Sequence, residues 1–105
     1  MEGLIMKIVG ITACPTGIAH TYMVARGLEK IAKELGHEIA IEKQGALGIE
    51  DELTPQQIRE ADVVIFATAT GAQGEERFEG KDILDVDISE ALKNPREIIL
   101  EAING

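Results

Sequence analysis

The sequence contains a single cysteine, Cys14, among its 105 residues. One cysteine cannot form a disulfide within the chain, a CxxC redox pair or a zinc site made of several cysteines. No other residue cluster points to a metal ion or an organic cofactor, so we predict neither. Chemistry at Cys14 would therefore depend on one thiol and its immediate surroundings.

Long apolar runs are also missing. No stretch approaches the roughly 18 consecutive apolar residues that a membrane-spanning helix needs. Met1–Gly10 lacks the basic start and the long apolar run of a secretory signal. These absences predict a cytoplasmic protein without direct membrane insertion.

Positive charge is scarce. The chain has 10 lysine and arginine residues against 19 aspartate and glutamate residues, which gives a formal net charge of -9. Such a surface repels nucleic acids and anionic lipids, so we expect no nucleic-acid partner. Any anion that the protein handles would have to be held by local backbone donors.

The residues that are present suit one packed domain. The length and the 45% content of hydrophobic residues are sufficient for a single core, so we predict one domain over residues 1–105. The segment Gly45–Leu53 is predicted as a loop. Short β-branched or alternating runs predict four strands, which are Met6–Thr12, Glu38–Gln44, Asp62–Ala67 and Ile83–Val86.

Helical signals separate these strands. Apolar residues recur at helical spacing between Ile18 and Leu35. Thr54–Gln57 has the pattern of a capping box for a short helix that ends near Ala61. Further helical signals lie at Glu75–Phe78, Asp87–Glu90 and Asn94–Ile103. The alternation predicts a three-layer α/β sandwich, with helices on both faces of a mainly parallel four-stranded sheet.

The loop after the first strand is the predicted site, because ligands in such folds gather at the carboxyl ends of the strands. Thr12–Thr21 contains few bulky side chains before Ile18, so backbone amides can approach a ligand closely. Gly17 permits a sharp or left-handed turn, and the positive end of the helix dipole lies behind the amides from Thr16 onward. This arrangement suits a phosphate group.

Cys14 is the candidate nucleophile of this loop. The same dipole field favours a thiolate, the reactive form of cysteine. Pro15 has no N–H but stiffens the chain, and the hydroxyls of Thr16 and Thr21 are candidate donors to phosphoryl oxygens. The alternative is a cysteine that only packs, which is common for lone cysteines. Placement before Pro-Thr-Gly at a strand-to-helix turn favours reactivity.

The two histidines differ in this respect. His20 lies near the helix start, where it is either a donor to the loop or an ordinary surface residue. His37 follows the Gly36 helix stop and is interpreted as a turn residue outside the site.

The segment Cys14–Thr21, followed by Tyr22 and Met23, resembles the active-site motif of a known family. This family is the enzyme IIB component, fructose type, of the bacterial phosphoenolpyruvate-dependent sugar phosphotransferase system. The resemblance covers nearly the whole chain and includes Glu34–Glu38, Glu42–Gly45, Gly48–Glu50, Ala61–Ile65 and Glu76–Lys81. Met1–Ile5 precedes the usual family start and is interpreted as an extension.

The resemblance implies a phosphoryl carrier. Cys14 would accept a phosphoryl group from a phosphohistidine of enzyme IIA and pass it to a sugar, most commonly fructose, bound by the membrane-embedded enzyme IIC. The protein would then meet the inner face of the membrane through enzyme IIC. The implied substrate-binding residues are Pro15, Thr16, Gly17, Ile18, Ala19, His20 and Thr21. The family fold, a parallel sheet covered by helices, agrees with the prediction above.

One segment departs from the family pattern. Thr68–Gln73 stands where the family usually has a sequence such as Ala-Ala-Asp-Ile-Ala-Val-Asp, so Ala69 and Gln73 replace two acidic residues. We expect this loop at the same end of the sheet as Cys14. The change either alters partner docking or sugar type, or is a neutral loop variation.

Two other functions fit parts of the sequence. A low-molecular-weight tyrosine phosphatase or arsenate reductase also has a cysteine loop after its first strand, but with an arginine that binds phosphate and a remote aspartate that protonates the leaving group. Residues 15–21 contain no arginine or lysine, which favours a relay whose thiophosphate survives. The second alternative is a non-catalytic interaction module with an inert cysteine.

Overall fold

A five-stranded sheet forms the middle layer of the structure, a computed structural model that describes residues 5–15 and 19–104. The strands are β1 (Lys7–Ala13), β2 (Glu38–Gly45), β3 (Gly48–Glu50), β4 (Val63–Thr68) and β5 (Ile83–Asp87). Their order in the sheet is β3-β2-β1-β4-β5. β2, β1, β4 and β5 run parallel to one another, and this arrangement confirms the predicted three-layer α/β class.

The predicted number of strands was wrong by one. β3 lies inside the segment Gly45–Leu53 that was predicted as a loop, and it pairs antiparallel with β2. Lys43 faces Glu50 and Gln44 faces Ile49 in this pairing. Three residues are too few to show a periodic pattern, so only the free edge of β2 identifies this segment as a strand.

Within residues 5–15 and 19–104, four helices and one turn of 3-10 helix cover the sheet. The helices are α1 (Ala19–Glu34), α2 (Pro55–Glu60), α3 (Ile88–Lys93) and α4 (Pro95–Asn104), and the 3-10 turn spans Glu75–Phe78. The predicted capping box is confirmed: Thr54 Oγ1 accepts from Gln57 N at 3.1 Å, and Gln57 Oε1 accepts from Thr54 N at 2.9 Å. None of the helices in the described part of the chain combines the length and hydrophobicity that a bilayer crossing requires.

Two apolar clusters pack on opposite faces of the sheet. One lies beneath α1, α3 and α4, and includes Leu28 and Ile99. The other lies beneath α2 and the 3-10 turn, where the rings of Phe66 and Phe78 meet edge to face with centroids 5.1 Å apart. This separation follows from the alternation of β1, whose side chains point to the two faces in turn.

Gly10 allows β1 to pack closely within the sheet. A Cβ atom at this position would lie 2.9 Å from Ile41 Cδ1 and 2.9 Å from the backbone oxygen of Ile65. Since the backbone oxygen cannot move independently of β4, a side chain at Gly10 would strain the centre of the sheet.

Candidate functional site

An open pocket of about 480 Å³ lies at the carboxyl ends of β1, β2 and β4. The parallel pairing brings these ends together, because Ala13 is in register with Gln44 on one side and with Thr68 on the other. The residues that line the pocket come from the ends of β1 and β2 and from the loop after β4. They are Ala13, Cys14, Pro15, Gln44, Gly45, Ala46, Thr70, Gly71, Ala72, Gln73 and Glu75.

Cys14 directly follows β1 and lines this pocket while 7% of its surface is exposed. Its backbone N–H donates to Gln44 O at 3.0 Å, and Ala69 N donates to Ala13 O at 2.9 Å. The cysteine also contacts the core cluster beneath α1. Cys14 is thus held between the ends of the two neighbouring strands, packed against the core while it lines an open pocket.

The other predicted loop residues are placed in different ways. Pro15 is exposed and lines the pocket beside Cys14. Ala19 and His20 are exposed in the first turn of α1. Thr21 is 1% exposed, and its carbonyl accepts from Thr12 Oγ1 at 3.1 Å, a bond that ties α1 to β1. The predictions for Thr16, Gly17 and Ile18 lie outside the described residues.

His37 has a structural contact, in agreement with its place outside the predicted site. Its Nδ1 accepts from Met6 N at 3.0 Å, so the imidazole caps the backbone just before β1. This bond lies at the amino end of β1, opposite the end that carries Cys14.

The loop after β4 forms the opposite side of the pocket, as the position of the atypical Thr68–Gln73 segment predicted. Within the loop, Thr68 Oγ1 accepts from Gly71 N at 3.2 Å, and Glu75 Oε2 accepts from Ala72 N at 2.9 Å. Glu75 is the one charged side chain among the described residues that line the pocket. Neutral side chains and backbone groups therefore form most of its surface.

Gln44 connects the loop to β2. Its Oε1 accepts from Gln73 N at 2.8 Å, and its Nε2 donates to Gln73 O at 2.9 Å. The side-chain amide thus pairs with the backbone of Gln73 as a neighbouring strand would. The same Nε2 donates to Glu42 Oε2 at 2.7 Å, so the amide is held from both sides.

A buried ion pair lies behind this contact. Glu42 has no exposed surface. Its carboxylate accepts hydrogen bonds from both Nη atoms of Arg77, at 2.9 and 3.0 Å, and from Leu53 N at 2.9 Å. Burial acts to raise the pKa of Glu42, but the hydrogen bonds from Arg77, Gln44 and Leu53 outweigh it and leave the pKa below its ordinary value. The hydrogen bond to Glu42 raises the pKa of Arg77. The carboxylate is therefore ionised and fully paired.

Arg77 also binds the loop directly. Its Nε donates to Gly74 O at 2.7 Å, and its Nη2 donates to Gln73 O at 3.2 Å. Gly74 has a φ of 75°, and a Cβ atom there would lie 2.6 Å from Arg77 Nε. A glycine is needed at this position both for the left-handed backbone and for the close approach of the guanidinium.

Glu42, Gln44 and Arg77 were not among the predicted site residues. The signal was present, since these residues lie in two segments of the family resemblance, Glu42–Gly45 and Glu76–Lys81. The 35-residue separation of Glu42 and Arg77 gives no indication of pairing without the fold.

Comparison with known proteins agrees with this architecture. The sequence profile of a family described as "PTS system, Lactose/Cellobiose specific IIB subunit" matches residues 9–101. The chain belongs to this family of phosphotransferase-system IIB components. As a IIB component it is a phosphotransferase of the sugar-transporting system, and the fold of its solved relatives confirms the resemblance described above.

The relatives are of the fructose-like type. The chain is 48% identical over 93 residues to the PTS system fructose-like EIIB component 2 of Escherichia coli K12, covering 89% of this chain and 88% of that protein. It is 50% identical over 98 residues to the fructose-like PTS system EIIBC component of the same organism, covering 91% of this chain. The chain spans only 20% of the length of that EIIBC relative.

Solved structures show the same fold. A domain of the fructose-specific IIABC component of Borrelia burgdorferi superposes with a TM-score of 0.89 at 44% identity, covering 97% of each chain. A predicted fructose-specific IIB protein of Escherichia coli superposes with a TM-score of 0.90 at 37% identity, covering 95% of this chain and 88% of that one. The IIB component described here is therefore a fructose-like member of its family.

Proposed function

We propose that Cys14 carries a phosphoryl group from enzyme IIA to a sugar bound by the membrane enzyme IIC. The observation that carries the proposal is the placement of the chain's single cysteine on a pocket at the carboxyl ends of three strands. Family membership supplies the class of reaction. Within this proposal residues 1–105 act as one domain.

The transfer consists of two displacements at phosphorus. The Cys14 thiolate attacks the phosphoryl group of a phosphohistidine on enzyme IIA; the P–S bond forms, the P–N bond breaks, and the imidazole of the donor keeps the electron pair. A sugar hydroxyl then attacks the phosphocysteine, so that a P–O bond forms, the P–S bond breaks and the hydroxyl proton is lost to solvent or to the released thiolate. Atoms and charge balance without any further reactant.

The loop after Cys14 is the proposed phosphoryl cradle. The backbone of Thr16–Ala19 and the hydroxyl group of Thr16 would supply donors, and the start of α1 would add its dipole. Thr21 is 1% exposed, so it would act by holding α1 against β1 through its bond with Thr12. His20 is exposed in the first turn of α1, where it would meet the incoming partner. Pro15, Gly17 and Ile18 would set the course of the chain around the phosphoryl group.

The pocket suits transfer better than hydrolysis. No lysine or arginine is found among its described lining residues, and Arg77 lies instead in a neighbouring cavity where it pairs with Glu42. A phosphatase places a guanidinium on the phosphoryl oxygens to stabilise the transition state of hydrolysis. Without it the thiophosphate would persist until a partner arrives, as a carrier requires.

The proposed substrate is a fructose-like sugar, and the proposed place of action is the inner face of the membrane. The similarity to fructose-like relatives, one of them named as an EIIBC component, supports both statements. Enzyme IIC would bind the sugar, and the IIB component would dock on it with the Cys14 pocket facing the sugar hydroxyl. The neutral Thr68–Gln73 loop borders that pocket and would contribute to the choice of partner.

Mass spectrometry tests the proposal. The chain is mixed with phosphoenolpyruvate, the general phosphotransferase proteins and candidate enzyme IIA partners. We expect one added phosphoryl group, which peptide mapping places on Cys14, and none on the Cys14→Ser variant. Phosphorylation of the serine variant, or of other residues only, would contradict the proposal.

A further inference from the structure

Gln44 of β2 holds two parts of the Cys14 pocket in place. One is Cys14 itself, and the other is the loop after β4 (Ala69–Gly74), which forms the wall of the pocket opposite Cys14. The backbone oxygen of Gln44 accepts from Cys14 N at 3.0 Å, and its side-chain amide binds both backbone groups of Gln73 at 2.8 and 2.9 Å. Cys14 and the opposite wall are thus fastened to the same point of the sheet. Any shift of the Gln44 side chain would move the wall relative to the thiol.

The Gln44 amide is in turn oriented by the buried ion pair. Glu42 Oε2 accepts from Gln44 Nε2 at 2.7 Å. This bond orients the amide so that Nε2, and not Oε1, faces Gln73 O. Glu42 can do this because Arg77 neutralises it with a two-pronged contact at 2.9 and 3.0 Å. Arg77 then reaches the wall itself through Gly74 O and Gln73 O.

Arg77 does not line the Cys14 pocket. It lines a separate cavity of about 490 Å³, and Arg59, Leu53 and Ile58 line the same cavity. Its guanidinium faces Glu42 and lies 5.4 Å from the centre of the Phe78 ring. An influence of Arg77 on Cys14 would therefore pass through the wall.

We propose that Arg77 is a positioning residue for phosphoryl acceptance by Cys14, acting through Glu42, Gln44 and the backbone of Gln73 and Gly74. This inference rests on the proposed function of Cys14. Phosphoryl transfer needs the attacking sulfur in line with the bond that breaks, and misplacement by about 1 Å can cost about a hundredfold in rate. The hydrogen bonds of Arg77, Glu42 and Gln44 fix the wall against which the phosphorylated enzyme IIA must dock for this alignment.

The test compares Arg77→Lys with Arg59→Lys. Lysine keeps a positive charge beside Glu42, so it limits the penalty of a buried unpaired carboxylate, but its single ammonium cannot reproduce the planar contacts to Glu42 and the wall. Arg59 is an exposed arginine that lines the same cavity as Arg77, and its variant controls for the loss of an arginine there. Urea unfolding establishes that each variant is folded.

Amide hydrogen exchange provides a readout that does not depend on phosphoryl transfer. We expect the Gln73 amide to exchange at least about tenfold faster in Arg77→Lys than in the wild type, because local opening frees this N–H. The amide of Ile65, within β4, reports global unfolding and should change much less. Arg59→Lys should change neither. An unchanged Gln73 amide in Arg77→Lys would overturn the proposed role of the network.

The second readout is the single-turnover rate of Cys14 phosphorylation at saturating phosphorylated enzyme IIA. We expect a loss of about tenfold or more in Arg77→Lys and no change in Arg59→Lys. If Gln73 exchange accelerates while the rate stays at the wild-type value, the network is structural only and the inference is wrong. Failure of the wild-type protein to accept phosphate would instead refute the proposed function, so the two failures are distinguishable.

Discussion

The side-chain amide of Gln44 and the backbone of Gln73, two residues that line the Cys14 pocket, form a reciprocal pair of hydrogen bonds at 2.8 and 2.9 Å. This contact joins the end of β2 to the loop after β4, which are not neighbours in the sheet. The side chain at position 44 must therefore present one acceptor to Gln73 N and one donor to Gln73 O. An amide satisfies this requirement and a carboxylate does not.

Gln44→Glu should therefore weaken the fold and the pocket together. The new carboxylate would lose the donor to Gln73 O and would lie against the Glu42 carboxylate, whose Oε2 is now 2.7 Å from Gln44 Nε2. We expect a loss of about 2 to 4 kcal/mol in unfolding free energy by urea titration at pH 7. The matched control is Gln56→Glu at an exposed position of α2, where the amide also donates to a glutamate, Glu60 Oε2, at 3.0 Å; it should change stability by less than about 1 kcal/mol. Equal losses would contradict the role of Gln44.

Gly74→Ala should displace the guanidinium of Arg77. The added Cβ would lie 2.6 Å from Nε, and alanine would be strained at a φ of 75°. Gly80→Ala separates the two effects, because Gly80 has a φ of 87° but no atom within 4 Å of an added Cβ. We expect a loss of about 1 kcal/mol for Gly80→Ala and about 2 to 3 kcal/mol for Gly74→Ala in urea unfolding. Identical losses would show that the contact with Arg77 is unimportant.

Gly10→Ala and Gly27→Ala should change stability in opposite directions. A Cβ at Gly10 meets the backbone oxygen of Ile65 at 2.9 Å, whereas a Cβ at Gly27, within α1, comes no closer than 3.6 Å to Pro95. We expect Gly10→Ala to cost about 2 kcal/mol or more and Gly27→Ala to stabilise by about 0.5 to 1 kcal/mol. Thermal unfolding of both variants checks the signs. A stabilised Gly10→Ala protein would contradict the close packing of β1.

The ion pair should make stability depend on acid. The pKa of Glu42 is lowered in the folded protein, so the unfolded chain binds a proton at Glu42 more readily. The resulting stabilisation is present above the ordinary glutamate pKa of about 4.3 and is lost as pH falls through the lower folded value. Urea titrations of the wild type and Glu42→Gln from pH 7 to pH 3 should show the stability difference shrinking below about pH 5. A difference that is constant with pH would show that folding does not lower the pKa of Glu42, and would contradict a stabilising charge on this carboxylate.

Phosphate-ester hydrolysis distinguishes a carrier from a phosphatase. With no arginine or lysine among the described residues of the Cys14 pocket, we expect no hydrolysis of para-nitrophenyl phosphate above that of Cys14→Ser. Fast turnover that depends on Cys14 would favour the phosphatase alternative. Iodoacetamide labelling of Cys14, slowed by inorganic phosphate, would separately argue against an inert interaction module.

Local sequence patterns were sufficient for most of the fold. The cap at Thr54, the apolar run of β4 and the helical spacing of α1 are each encoded within a few neighbouring residues, and the structure has these elements close to their predicted bounds. Cys14 could be chosen as the candidate nucleophile for the same reason. Its predicted role depends on a strand end, a turn and a helix start that are contiguous in the chain.

Only the tertiary structure decided what surrounds Cys14. β3 exists because the edge of β2 offers it hydrogen bonds, and its own three residues carry no periodic signal. The Glu42–Arg77 pair and the Gln44–Gln73 contact join residues 35 and 29 positions apart, and their partners are selected by the order of the strands. The sequence by itself therefore determined the α/β class and the candidate nucleophile, because both depend on local patterns. The walls of the pocket depend on the parallel sheet, which brings distant strand ends to one edge.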